Sequence, residues 1–150
     1  METNLSDEAL EKIEKYRIRA DKLFENAKIF LDKKEYEKTG EFLWGALATY
    51  INAIVYLKTG EAKHSHKKLV TAGEGIAKAA QDQDLFKAIK GTGQELHANY
   101  YHGFLEVEAF QDIFPEIEKA IEKLDNILLN ELKGIPKIPA PPPEKVIQEN

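Results

Sequence analysis

Apolar residues recur at every third or fourth position along most of this chain, the spacing of helices rather than strands. Leu10, Ile13, Ala20, Leu23, Ala27 and Phe30 form one such stripe. Ser6 stands ahead of it as an N-cap with acidic residues behind, so a first helix is predicted over about 6–33. A second, over roughly 35–59, ends at Gly60 and carries two stripes. Leu43, Ala46, Leu47, Tyr50, Ala53, Ile54 and Leu57 make one, and Trp44, Ala48, Ile51 and Val55 make the other. A helix apolar on two sides is buried on two sides: it is the centre of a bundle, or it also meets a second subunit. Gly45, Ala46, Ala48 and Ala53 would let another helix come close.

Ser65 is the expected cap of a third helix over about 66–80, with Leu69, Ala72, Gly73, Ile76, Ala79 and Ala80 as its apolar side. Gly73 and Gly75 weaken it by about 1 kcal/mol each relative to alanine. The "QDQD" turn, capped by Asp82 or Asp84, opens a fourth helix over about 84–108. Its core side reads Phe86, Ile89, Gly93, Leu96, Tyr100, Gly103, Phe104 and Val107. A fifth helix, over about 109–132, buries Phe110, Ile113, Phe114, Ile117, Ala120, Ile121, Leu124, Ile127 and Leu128, and Pro115 either starts it or kinks it. Beyond Gly134 comes "IPKIPAPPPEKVIQEN", with five of the six prolines and no core of its own. The expected fold is therefore all-α: an antiparallel four- or five-helix bundle over 1–133, then a Pro-rich C-terminal tail over 134–150.

A length of 150 residues fits one domain, and 43% apolar residues suffice for its core. The stretch 42–57 is free of charge, but its sixteen residues fall short of the roughly 20 needed to cross a bilayer. The N-terminus is charged, unlike a secretory signal, so a cytoplasmic protein without membrane association is expected. Lys and Glu dominate the charges, Arg17 and Arg19 being the only arginines, and this Lys/Glu enrichment without cysteine leans toward a thermophile. The absence of cysteine excludes disulfides and thiolate metal sites. A net charge of −5 argues against a protein built to coat nucleic acid, while leaving room for a local basic patch.

Candidate chemistry concentrates in "ELHANYYHGFLE", residues 95–106. At 100° per residue, Leu96, Tyr100 and Gly103 point to the core. Lys90, His97, Tyr101 and Glu108 form an adjacent row, and Glu95, Asn99, His102 and Glu106 a third, which is expected to face solvent or an interface. His97 and Asn99 then project about 200° apart and serve different partners. His97 is expected to be a partly buried, hydrogen-bonded residue between the fourth helix and a neighbour. His66, first in the third helix, is expected near Trp44 or Glu41. Lys63, His64, Lys67 and Lys68 make the strongest local basic patch. The four histidines show no His-x-x-x-His or Glu-x-x-His spacing, so no metal site is expected. No Gly-rich phosphate loop or nucleophile elbow is present; "GTGQ" at 91–94 reads as a site of close packing.

Three motifs in register carry a resemblance. Glu41 precedes "LWGA" at 43–46, "HSH" follows at 64–66, and "LHANYY" lies at 96–101. Together they resemble the archaeal PaREP-type helical domain over about residues 20–125, with His102 standing where that family usually has an acid. The family is similar in fold to the HEPN superfamily of helical bundles. That likeness implies a HEPN-like bundle, commonly a homodimer, and in many members a metal-independent ribonuclease whose signature is Arg, four to six intervening residues, then His on a late helix. Such chemistry needs a cation to hold the phosphate and an imidazole to move a proton. The nearest equivalent here is Lys90 followed after six residues by His97. Lysine lacks the bidentate fork of arginine. The reading is therefore a non-catalytic, dimeric interaction module without cofactor, binding a protein or ribonucleoprotein partner. Its partner face is Glu41, His66, Lys90, His97, Asn99, Tyr101 and His102. The alternative is a HEPN-type ribonuclease or an RNA- or nucleotide-binding accessory protein with His97 as base.

Overall fold

A computed structural model describes residues 5–102 and 105–134, and the side chains of all of these but 100–102. Tyr101 and His102 as members of a partner face, and the tail beyond Gly134, therefore lie outside the described residues. Among the described residues the chain is helical, with no strand. Helix α1 spans Asp7–Asp32, α2 Tyr36–Thr59 and α3 His66–Ala79. Next come α4 (Gln83–Lys87), a π-helical stretch (Ala88–Gly93) and α5 (Gln94–His102), which follow one continuous helical path. A 3-10 turn at Val107–Ala109 leads into α6, Phe110–Lys133.

The helix ends follow local chemistry. Ser6 Oγ accepts from the Ala9 amide and Ser65 Oγ from the Lys68 amide, each satisfying a donor that the first turn leaves open. Gly60 closes α2 in the left-handed region at φ 79°, where a side chain would be strained. Lys34 takes a left-handed φ of 62° in the short link between α1 and α2, and these two helices pack against each other. Pro115 lies inside α6, more than a turn beyond its first residue, and so does not start it.

Helix α2 is the centre of the bundle. It packs against α1, α3, α5 and α6. Leu43, Leu47, Ile51 and Ile54 have no exposed surface, and the Trp44–Ala48–Ile51–Val55 stripe is buried as fully as the other. Both apolar sides are thus covered within one chain. The apolar excess from which the sequence argues a second subunit is accounted for by α3 and α5.

The fourth predicted helix departs most from expectation. It does not run unbroken over 84–108. It widens into the π stretch, returns to α geometry, and is described no further than His102. A π stretch accommodates an extra residue in the helical path, so positions on either side fall out of the 100° register. Leu85 takes the buried place expected for Phe86, and Val107 is 50% exposed because it sits on the 3-10 turn. Asn99, expected on a solvated row, is 1% exposed. Its Oδ1 accepts from the Leu105 amide at 2.6 Å, as the chain turns back across the end of α5.

Two glycines explain why the helices meet so closely. A Cβ on Gly73 would stand 2.8 Å from Ile51 Cδ1 and 2.9 Å from Ile89 Cγ2, so α3 presses onto both neighbours only because the side chain is missing. A Cβ on Gly93 would stand 3.0 Å from the Trp44 ring.

Candidate functional site

The junction of α2, α3 and α5 gathers the polar residues of the three motifs. Trp44, 5% exposed, forms its floor. Its place is set by Gly93, whose bare backbone in the π stretch leaves room for the indole. The His66 ring lies 4.8 Å from the Trp44 ring and stacks on His97 at 4.3 Å, with planes 16° apart. On the other side, His97 Nδ1 meets Glu41 Oε1 at 3.2 Å. The order across the junction is Trp44, His66, His97, Glu41. Glu41 pairs with His97, and His66 finds Trp44.

Backbone anchors hold His66 there. The Asn52 carboxamide donates to the Lys63 carbonyl at 2.8 Å and accepts from the Lys63 amide at 2.7 Å. This paired bond ties the connecting loop to the middle of α2, and Ser65 then starts α3 with His66 as its first residue. The loop's basic residues Lys63, His64, Lys67 and Lys68 are carried on the same frame, beside the stacked histidines in sequence and outside the stack.

The electrostatics are uneven. Burial lowers the pKa of His66 from its ordinary 6.5, the neighbouring His97 lowers it further, and Gln94 opposes both. Yet the Gln94 amide nitrogen donates to the Lys90 carbonyl, and His66 Nδ1 is enclosed without a hydrogen-bond partner. Gln94 lies close to the ring but is turned to the Lys90 carbonyl and does not satisfy that nitrogen. Two nearly parallel imidazole rings cannot both aim a lone pair at one ion, and no group of three His, Cys, Asp or Glu suited to a metal occurs among the described residues.

Lys90 is not part of this junction. It lies within the π stretch, and its ammonium sits over the Phe86 ring at 5.5 Å. Asn99 is likewise apart: it closes the turn at Leu105 and borders a shallow groove with Glu35, Tyr36 and Val107. The structure thus brings together Glu41, His66 and His97, and separates Lys90 and Asn99 from them. Sequence reasoning named Trp44 only as a packing residue and missed Gln94 and Asn52. Asn52, a lone amide in an uncharged helix, was the available signal for a built backbone contact. The Gly-Thr-Gly run was the signal for an irregular helix. A further buried polar contact also went unnoticed: the Thr92 hydroxyl in the π stretch lies 2.9 and 3.0 Å from the two Glu116 carboxylate oxygens on α6.

No helix among the described residues is long and apolar enough to cross a membrane. No curated protein and no solved structure matches the chain. The model of the archaeal PaREP1/PaREP8 family matches residues 15–121, which include α2, α3, α5 and the whole Glu41–His66–His97 junction, and the chain belongs to that family.

Proposed function

We propose that this protein is a non-catalytic helical interaction module that binds a protein or ribonucleoprotein partner. The observation that carries the reading is the internal use of the motif residues. His97 is engaged by Glu41, Asn99 bonds the Leu105 amide, and Lys90, inside the π stretch, is directed to Phe86. A carboxylate therefore stands beside the imidazole where phosphodiester cleavage needs a cation. The exposed residues of the α3 start, His64, Lys67 and Lys68, together with Lys63, offer an anionic partner a compact basic surface.

A second reading, the HEPN-type ribonuclease, has one observation in its favour. A carboxylate bonded to an imidazole fixes its orientation, and the second imidazole lies against it. Incubating the protein with single-stranded RNA in excess chelator separates the two. No cleavage, together with recovery of a partner that is lost on reversing Lys67 and Lys68 to Glu, supports the module. Cleavage that His97→Ala abolishes replaces it with the ribonuclease.

Assembly as a homodimer belongs to the same proposal. It would use a face other than α2, and the exposed Ile18 and Ile29 on α1 offer the apolar contact. Light scattering at micromolar concentration tests it directly.

A further inference from the structure

The His66–His97 stack has a proton capacity that its surroundings limit. From α2 it meets the Glu41 carboxylate and the apolar ring of Trp44, and from α5 it meets the Gln94 amide. Its own loop and first turn bring Lys63, His64, Lys67 and Lys68. One proton is accommodated, since an imidazolium at His97 has the Glu41 oxygen at 3.2 Å. A second is not. It would place two cations in rings 4.3 Å apart, with the Glu41 carboxylate bonded to His97 and, among the described residues, no carboxylate bonded to His66. His66 is also the first residue of α3, where the helix N-terminus already presents partial positive charge. Its Nδ1 is sealed from water without an acceptor, so a proton there would have nothing to bond.

We infer that the stack is a pH-sensitive latch: with no more than one proton it clamps the start of α3 onto α2 and α5, and taking up a second drives His66 out from beside Trp44. The inference concerns the geometry of the junction and holds whether the protein binds a partner or cleaves RNA. The direction follows from linkage. The released state holds His66 at its ordinary affinity for protons, while the clamped state holds it lower. The clamp is therefore at full strength above the ordinary value of 6.5 and weakens as pH falls below it. Release frees the His66 turn and changes the presentation of Lys67 and Lys68, so a partner held through this face would be retained at neutral pH and lost in mild acid.

The chain contains a single tryptophan, so its fluorescence reports this junction alone. The experiment follows Trp44 emission of the full-length protein from pH 8 to pH 4.5, with far-UV circular dichroism in parallel and the imidazole signals resolved by NMR. The expected result has three parts: a Trp44 transition below pH 6.5, helicity retained through it, and His66 taking its proton across that same transition. In His66→Phe, which keeps a flat ring against Trp44, the transition should disappear while the other histidines remain. His66→Gln serves the same purpose if the phenylalanine variant does not fold. The inference is overturned if His66 titrates at or above 6.5, if Trp44 emission stays flat while His66 takes its proton, or if the transition survives the loss of His66.

Discussion

Helices α2 and α5 both touch the candidate site, yet they are built by opposite rules. Along α2 the apolar residues keep helical register from Leu43 to Leu57, and thirteen of its positions are buried. Register alone decides what faces where. The path from α4 through the π stretch into α5 keeps no single register, and its positions are decided by individual contacts: Gly93 against Trp44, Thr92 on Glu116, Asn99 on Leu105. The regular helix supplies the floor and the carboxylate, and the irregular one supplies His97. A fixed wall facing an irregular one is how a polar junction is placed at the edge of an apolar core without widening that core.

The largest expected effect lies on the regular side. Leu47 has no exposed surface and sits in the middle of α2. Leu47→Ala should destabilise the bundle by about 2–5 kcal/mol, because methyl groups leave a cavity that packed neighbours fill only in part. Chemical denaturation measures this, and a loss under about 1 kcal/mol would show that α2 is not the structural centre.

The irregular side gives a sharper pair. Gly91 and Gly93 lie two residues apart in the π stretch, and only Gly93 faces a close neighbour. Gly93→Ala should cost about 1–3 kcal/mol, since the added methyl meets a rigid indole at 3.0 Å and the Ala88 carbonyl at 3.1 Å. Gly91→Ala meets nothing within 4 Å and should be neutral or stabilising by up to about 1 kcal/mol. Equal effects from the two would mean that packing on Trp44 does not set the π stretch.

How legible each region was follows from the same contrast. The starts and ends of α1, α2 and α3 could be read because Ser6, Ser65 and Gly60 act through bonds within a few residues. The Trp44 neighbourhood of His66 could be named because both motifs flank the third helix. The fate of Asn99 could not, since it depends on the chain returning at Leu105, and constant 100° steps say nothing of turns beyond a helix end. The Lys90–His97 row failed for a related reason. A seven-residue step returns to one face only in a regular helix, and Lys90 itself lies inside the π stretch. Gly91, Thr92 and Gly93 have poor helix propensity, and that local weakness was the warning.

Asn99 and Asp82 test whether single polar contacts hold the irregular path. Asn99→Ala leaves the Leu105 amide unpaired and should cost about 1–3 kcal/mol, with faster amide exchange confined to the end of α5 and the turn after it. Asp82 contributes at the other end. The Leu85 amide, which it caps at 3.0 Å, holds its carboxyl below the ordinary 3.8, and Lys123 at 2.9 Å adds to this. Since the folded pKa is the lower one, its contribution is present above pH 3.8 and lost as pH falls through the folded value. Asp82→Asn should therefore cost about 0.5–1 kcal/mol at neutral pH and nothing in strong acid. That window is well separated from the His66 transition, which begins below 6.5.

The smallest effect decides the most about function. Lys90 is exposed, and its ammonium contacts only the Phe86 ring among the described residues. An exposed contact of this kind contributes about 0.5 kcal/mol. Lys90→Ala should therefore leave the melting curve within that margin of the native protein. The functional consequence divides the two readings of the site. If Lys90 supplied the cation of a ribonuclease centre, its removal would abolish metal-free RNA cleavage together with His97→Ala. In the structure Lys90 lies inside the π stretch, and its ammonium is directed to the Phe86 ring. The expectation is that Lys90→Ala retains whatever partner the native protein retains, whereas reversing Lys67 and Lys68 to Glu releases it. Measuring both variants in one capture experiment locates the working surface on the α3 start. A loss of partner with Lys90→Ala and not with the reversed pair would place that surface on the outer side of the π stretch instead.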